Sequence, residues 1–154
     1  MKKFKFKLEK LLDINIKEED ESKLKYTQAQ NEKRIVEKNL ERLEENYKKY
    51  SDITRANDVI SQKVTINYLS TLTQSIKLTD EKLKEEEKNV IEAQNDLIQK
   101  QIKRKSLEIL KEKEMERVKK EEERIEQITN DEFALYAYLR KNANVSQKGG
   151  KYGI

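Results

Sequence analysis

Residues 51–71 read SDITRANDVISQKVTINYLST, and whether this stretch turns or continues as helix decides the fold. It is rich in Ser, Thr, Asn and β-branched residues, which form helix weakly because their side chains compete for backbone hydrogen bonds or lose rotamer freedom. The long stretches on either side are instead dominated by Glu, Lys, Leu, Ile and Gln. A turn here makes two helices that fold back on each other; without one the chain is a single rod. There is no Pro, and the three Gly lie at 149, 150 and 153. A reversal must therefore use Ser51, Asp52, Asn57 and Asp58, whose side chains accept backbone hydrogen bonds and cap the next helix. The connector is placed at 52–58. Val64, Ile66 and Tyr68 alternate as in a strand, but no second strand is available to pair with them.

Each flank carries a heptad stripe. Steps of four and three from Leu8 reach Leu12, Asn15, Glu19, Ser22, Tyr26, Ala29, Lys33, Val36, Leu40, Leu43, Tyr47 and Tyr50; nine of these thirteen positions are apolar or aromatic. A stripe that narrow belongs to a helix packing on one partner. The second stripe runs from Leu69 through Leu72, Ile76, Thr79, Leu83, Glu86, Val90, Ala93 and Leu97 to Val118, Ile125, Ile128, Leu135 and Leu139. Its misfits cluster at Lys100, Arg104, Lys111, Glu114 and Glu121, while Ile98, Ile102, Ile109, Leu110 and Met115 sit off it. That pattern predicts a stutter that shifts the packing face. Thr129-Asn130-Asp131-Glu132 has capping-box spacing, so a kink or break is expected near 129–131. The glycine-bearing stretch NANVSQKGGKYGI lacks a stripe and reads as a flexible tail.

These readings define an all-α fold, an elongated antiparallel two-helix coiled-coil hairpin whose second helix is the longer. One hairpin spans 1–141, with helix 3–51, connector 52–58 and helix 59–141, and residues 142–154 form the tail. At about 1.5 Å per residue the second helix overhangs the first. Antiparallel pairing about that connector sets Phe4 and Leu8 beside residues 105–115 and the basic start near Lys103, Arg104, Lys105 and Lys111.

Of the 154 residues, 42% are charged and 34% hydrophobic, too polar for a compact globule and typical of long helices. The net charge of +4 is uneven. Lys2, Lys3, Lys5, Lys7 and Lys10 face only Glu9 in residues 1–12, and Arg140, Lys141, Lys148 and Lys151 face no acid in residues 140–154. Both ends are basic and the body is acidic. No secretory signal is expected, because Asp13 and Asn15 interrupt the apolar run after Leu12, and no apolar run is long enough to span a bilayer.

The chain has no His or Cys, so nucleophile–base pairs and ordinary transition-metal sites are missing, and carboxylates on thin helices stay in water. No enzyme activity, metal or cofactor is expected. Gly149-Gly150-Lys151 lacks the first glycine and the Ser or Thr of a phosphate loop. Lys103-Arg104-Lys105 and Lys119-Lys120 lie among glutamates without interleaved aromatics, which reads as solvated helix surface rather than a nucleic-acid site. The lysines beside Phe4 and Phe6 suit either an anionic lipid surface or an acidic protein groove. Tyr47, Tyr50 and Tyr68 crowd one hairpin end, where two helices cannot cover so much aromatic surface, and such clusters mark partner sites.

Phe4-Lys5-Phe6-Lys7-Leu8-Glu9-Lys10-Leu11-Leu12 followed by acids, the Leu40, Leu43, Tyr47, Tyr50 stripe, the connector leading into Ile66-Asn67-Tyr68, and Asn130-Asp131-Glu132-Phe133-Ala134 together resemble the FliJ family of the bacterial flagellar type III export apparatus. The resemblance implies a cytoplasmic, non-enzymatic hairpin, similar to the stalk of rotary ATPases, peripheral to the inner face of the membrane at the flagellar base. It implies binding in the export ATPase hexamer, coupling to the cytoplasmic domain of the export gate, and binding of export chaperones. The gate-facing surface would include Leu43, Tyr47, Tyr50, Tyr68, Leu72 and Ile76, although Thr71 and Ser75 stand where relatives carry larger apolar side chains. Lys2, Lys3, Lys5 and Lys7 are the expected ATPase contacts. The alternative from a different class is a self-associating structural coiled coil, which a continuous rod would favour.

Overall fold

The computed structural model describes residues 3–51 and 58–150. Two helices make up the fold, α1 over Glu9–Ser51 and α2 over Val59–Gly150; among the described residues there is no strand. The helices pack against each other as an all-α hairpin. Most of the connector, 52–57, lies outside the described residues, but its last residue shows how α2 begins. The Asp58 carboxylate accepts from the Ile60 N–H at 3.3 Å, and its carbonyl accepts from the Gln62 N–H at 3.0 Å, the geometry of an N-cap. The weak helix formers that follow are helical all the same, with hydroxyls that donate one turn back, Thr65 to the Ser61 carbonyl at 2.8 Å and Thr71 to the Asn67 carbonyl at 3.0 Å. Charge favours α1 at both ends, with Glu9 in its first turn and Lys48 and Lys49 in its last.

Two compact units divide the chain, one of residues 10–105 and the other of residues 1–9 with 106–154. In the first, the α1 stripe is the buried face: Leu12, Glu19, Ser22 and Val36 are buried, and Asn15, Tyr26, Ala29, Lys33, Leu40, Leu43 and Tyr50 are half-buried. Across from it on α2, Leu72 is buried, and Leu69, Ile76, Leu83, Val90, Ala93 and Leu97 are half-buried.

Three expectations need correction. No stutter shifts the packing face. Lys100 and Arg104 in the first unit, and Lys111 and Glu114 in the second, are half-buried on the original stripe, while Ile98, Ile102, Ile109, Leu110 and Met115 are exposed. The charged misfits hold their places through ion pairs, Lys100 with Glu18 at 3.6 Å, Arg104 with Glu19, and Lys111 with Glu9 at 2.8 Å. Lys111 thus lies beside the basic start, as the antiparallel pairing predicted, held there by Glu9, while Arg104 meets Glu19 further along α1.

α2 also passes through 129–131 without a break and continues beyond 141 to Gly150. A capping box needs a non-helical first residue, whereas the Thr129 hydroxyl donates back to the Ile125 carbonyl at 2.9 Å. Between 142 and 148 nothing in the sequence stops a helix; the first glycine comes at 149.

α1, finally, starts at Glu9 and not at residue 3. Residues 3–6 have no regular structure, and the Glu9 N–H closes a turn on the Phe6 carbonyl at 3.2 Å. An extended backbone puts Phe4 and Phe6 on one side and the lysines on the other, a separation that helical geometry would scramble.

Candidate functional site

The tyrosine cluster lies in the first unit. Tyr50, in the last turn of α1, and Tyr68, in the third turn of α2, meet edge to face, with ring centroids 4.9 Å apart and planes at 79°, a favoured geometry for aromatic pairs. The Lys49 ammonium lies 5.9 Å from the Tyr50 ring centroid, within cation–π range. Tyr47 and Tyr68 remain 39% and 40% exposed, so this end presents aromatic faces, phenol hydroxyls and a cation to solvent. Leu43 and Ile76 are half-buried beneath it. Leu72, expected on the gate-facing surface, is only 5% exposed. It belongs to the core, because its heptad position points at the other helix.

Sequence reasoning passed over Ile60 and Val64, which are 72% and 63% exposed. With Tyr68 they stand at successive four-residue steps, on one face of the first turns of α2. The signal was the spacing itself, hidden while these residues were read with the connector.

The basic cluster lies in the second unit. Lys3, Lys5 and Lys7 are exposed, Phe4 and Phe6 are half-buried, and Lys2 falls outside the described residues. Phe4, Phe6 and Leu8 line one side of an open groove of about 780 Å³, and Leu110, Val118, Glu114, Arg117 and Glu122 line the other. Phe4 also approaches Met115 and Lys119. The lysines are therefore carried on a segment anchored by its aromatic rings, and the Glu9–Lys111 pair pins its end. Carboxylates at 114 and 122 share the groove and offset part of its positive charge.

A polar cluster interrupts the apolar seam of the first unit. The Ser22 hydroxyl donates to Asp96 Oδ2 at 2.8 Å, and Arg104 Nε donates to Glu19 Oε2. Glu19 is 3% exposed, so its charge is held by partners rather than by water. Among the described residues no group of three or more acidic side chains is placed to hold a metal ion. On the surface of the second unit Arg124 hydrogen-bonds Glu121, holding that carboxyl below its ordinary value and its own guanidinium above. Among the described residues no helix is long and apolar enough to cross a membrane.

What these surfaces define is an all-α hairpin whose exposed aromatic, cationic and apolar side chains suit protein partners. The family model for the flagellar FliJ protein matches residues 4–143, and the chain belongs to that family. It is a flagellar export-related protein, of a family that serves as a component of export and is not known for catalysis. No curated protein and no solved structure matches the chain.

Proposed function

We propose that this chain is a stalk of the flagellar type III export apparatus, binding in the export ATPase hexamer and coupling it to the export gate, with export chaperones as further partners. In this reading it works at the cytoplasmic face of the membrane, at the flagellar base, without spanning it. The observation that carries the proposal is the anchored basic segment. Phe4 and Phe6 are half-buried while Lys3, Lys5 and Lys7 face solvent, so three cations are presented together at reduced cost in chain entropy. Family membership supports a partner within the export apparatus.

The basic segment, with Lys2, is assigned to the ATPase and the tyrosine cluster to the gate. Tyr47, Tyr50 and Tyr68 make the contact, while Leu43, Leu72 and Ile76 hold the helices that present them. Purified chain is expected to bind the export ATPase and to change its oligomerisation or turnover; a chain that does neither ends the proposal. Replacing Lys2, Lys3, Lys5 and Lys7 by Glu should weaken ATPase binding and leave gate binding intact, and Tyr68→Ala should do the opposite. The reversed pattern refutes the assignment of the two surfaces.

A further inference from the structure

The stripe of α2 does not end where its cover ends. In the second unit Leu107, Lys111, Glu114 and Val118 are half-buried; from Glu121 to Ser146 every side chain is exposed. Yet the three-four spacing continues through Glu121, Ile125, Ile128, Glu132, Leu135 and Leu139. The four apolar members are between 44% and 59% exposed. A single helix of this length is marginal in water by itself, and apolar heptad positions gain their stability only against another helix.

Covered parts of the stripe show what such a helix must carry. Where the covered stripe of α2 bears a basic side chain it meets a carboxylate from across the seam: Lys111 meets Glu9 at 2.8 Å in this unit, and Lys100 and Arg104 meet Glu18 and Glu19 in the other. The uncovered part has carboxylates at Glu121 and Glu132, with Glu122, Glu123, Glu126 and Asp131 along its flanks. A second copy of this chain complements it poorly. In the antiparallel register that sets Ile125 against Leu135, Glu132 faces Ile128 and Glu121 faces Leu139, leaving carboxylates against apolar side chains.

We propose that residues 121–139 are a docking face for an amphipathic helix of another protein. That helix runs antiparallel to α2, as α1 does, is apolar opposite Ile125, Ile128, Leu135 and Leu139, and places Arg or Lys opposite Glu121 and Glu132. The face continues in register the half-buried stripe of Leu107, Lys111, Glu114 and Val118, and its acidic flanks select a basic partner.

The test uses the full chain and two synthetic four-heptad peptides with Leu and Ile seams. One carries Arg at the two seam positions facing Glu121 and Glu132; the other carries Glu there. By calorimetry and circular dichroism the Arg peptide is expected to bind one per chain and to raise helicity, and the Glu peptide to bind at least about tenfold more weakly. Ile128→Asn and Leu135→Asn should each weaken binding of the Arg peptide by about tenfold or more while the melting of the unbound chain stays in place. The proposal is overturned if the Arg peptide does not bind, if both peptides bind alike, or if neither substitution matters. It is equally overturned if the chain alone forms a dimer that these substitutions dissociate, which gives the face to a second copy.

Discussion

Residues 69–104 and 121–139 of α2 carry the same three-four stripe, and they differ in what covers it. The first stretch has Leu72 buried and its other stripe residues half-buried against α1; the second is exposed throughout. Heptad spacing specifies a face, and only a second helix turns that face into a core. The sharpest way to break this contrast is to truncate one apolar residue in each stretch. Leu72→Ala should lower stability by about 2–4 kcal/mol in urea denaturation, and Ile128→Ala should stay within about 0.5 kcal/mol. Equal losses would mean that the second stretch is also covered in solution.

The polar layers sharpen the contrast further. Arg104→Leu removes the cross-helix cation of buried Glu19, which keeps Lys23 at 3.4 Å on its own helix, and because the arginine side chain is itself partly exposed the loss should be about 1–3 kcal/mol. The double variant Glu19→Leu/Arg104→Leu should regain wild-type stability or exceed it, since two apolar side chains then meet in the seam. A double variant as unstable as the single one would sink the account. Glu86, on the same stripe, has a buried Oε2 without a hydrogen-bond partner among the described residues. Glu86→Leu should therefore stabilise the hairpin by about 1 kcal/mol; a lower melting temperature would show that this oxygen is satisfied after all.

The smallest effect belongs to the exposed stretch. Hydrogen bonding from Arg124 lowers the Glu121 pKa, so the pair contributes above the carboxylate's ordinary value and is lost as pH falls through the lowered one. At neutral pH Glu121→Gln should show slightly less helix than the wild type, with the gap closing in acid. A gap that stays constant with pH would remove the pair from the account.

Much of this architecture was legible in spacing alone. Among the described residues Leu12, Glu19, Ser22, Val36 and Leu72 are the buried ones, and all five lie on the stripes read from sequence, including two that hydropathy would have discarded. The register was legible in outline, since pairing about the connector set Phe4 and Leu8 beside 105–115 and Glu9 does pair with Lys111, but which individual side chains meet was not. Without knowing which residues face each other, Lys100, Arg104 and Lys111 look like faults in the stripe; opposite Glu18, Glu19 and Glu9 they are its closing contacts. The resemblance, rather than the spacing, put Leu72 on a partner surface; its place on the stripe had already set it inside, where it is buried. Thr129-Asn130-Asp131-Glu132 failed for a local reason, because a threonine hydroxyl satisfies the carbonyl a turn behind it as readily as an N–H ahead of it. Of the candidate sites, the Tyr50–Tyr68 contact was anticipated as a crowding of tyrosines, while Ile60 and Val64 were hidden by uncertainty over where α2 begins.

The seam of the first unit is one side chain wide, with only Leu12, Val36 and Leu72 buried among its described apolar residues. Each layer is braced by the layers directly above and below it and by nothing at the sides. Layers more than about 7–10 Å apart should then contribute almost independently, and opening should spread from layer to layer instead of engaging the whole unit at once. Amide hydrogen exchange along residues 10–105 should accordingly grade with depth in the seam, slowest beside Val36 and Leu72. A binding partner that clamps a few layers would freeze out part of that gradient, making exchange a local gauge of where it sits.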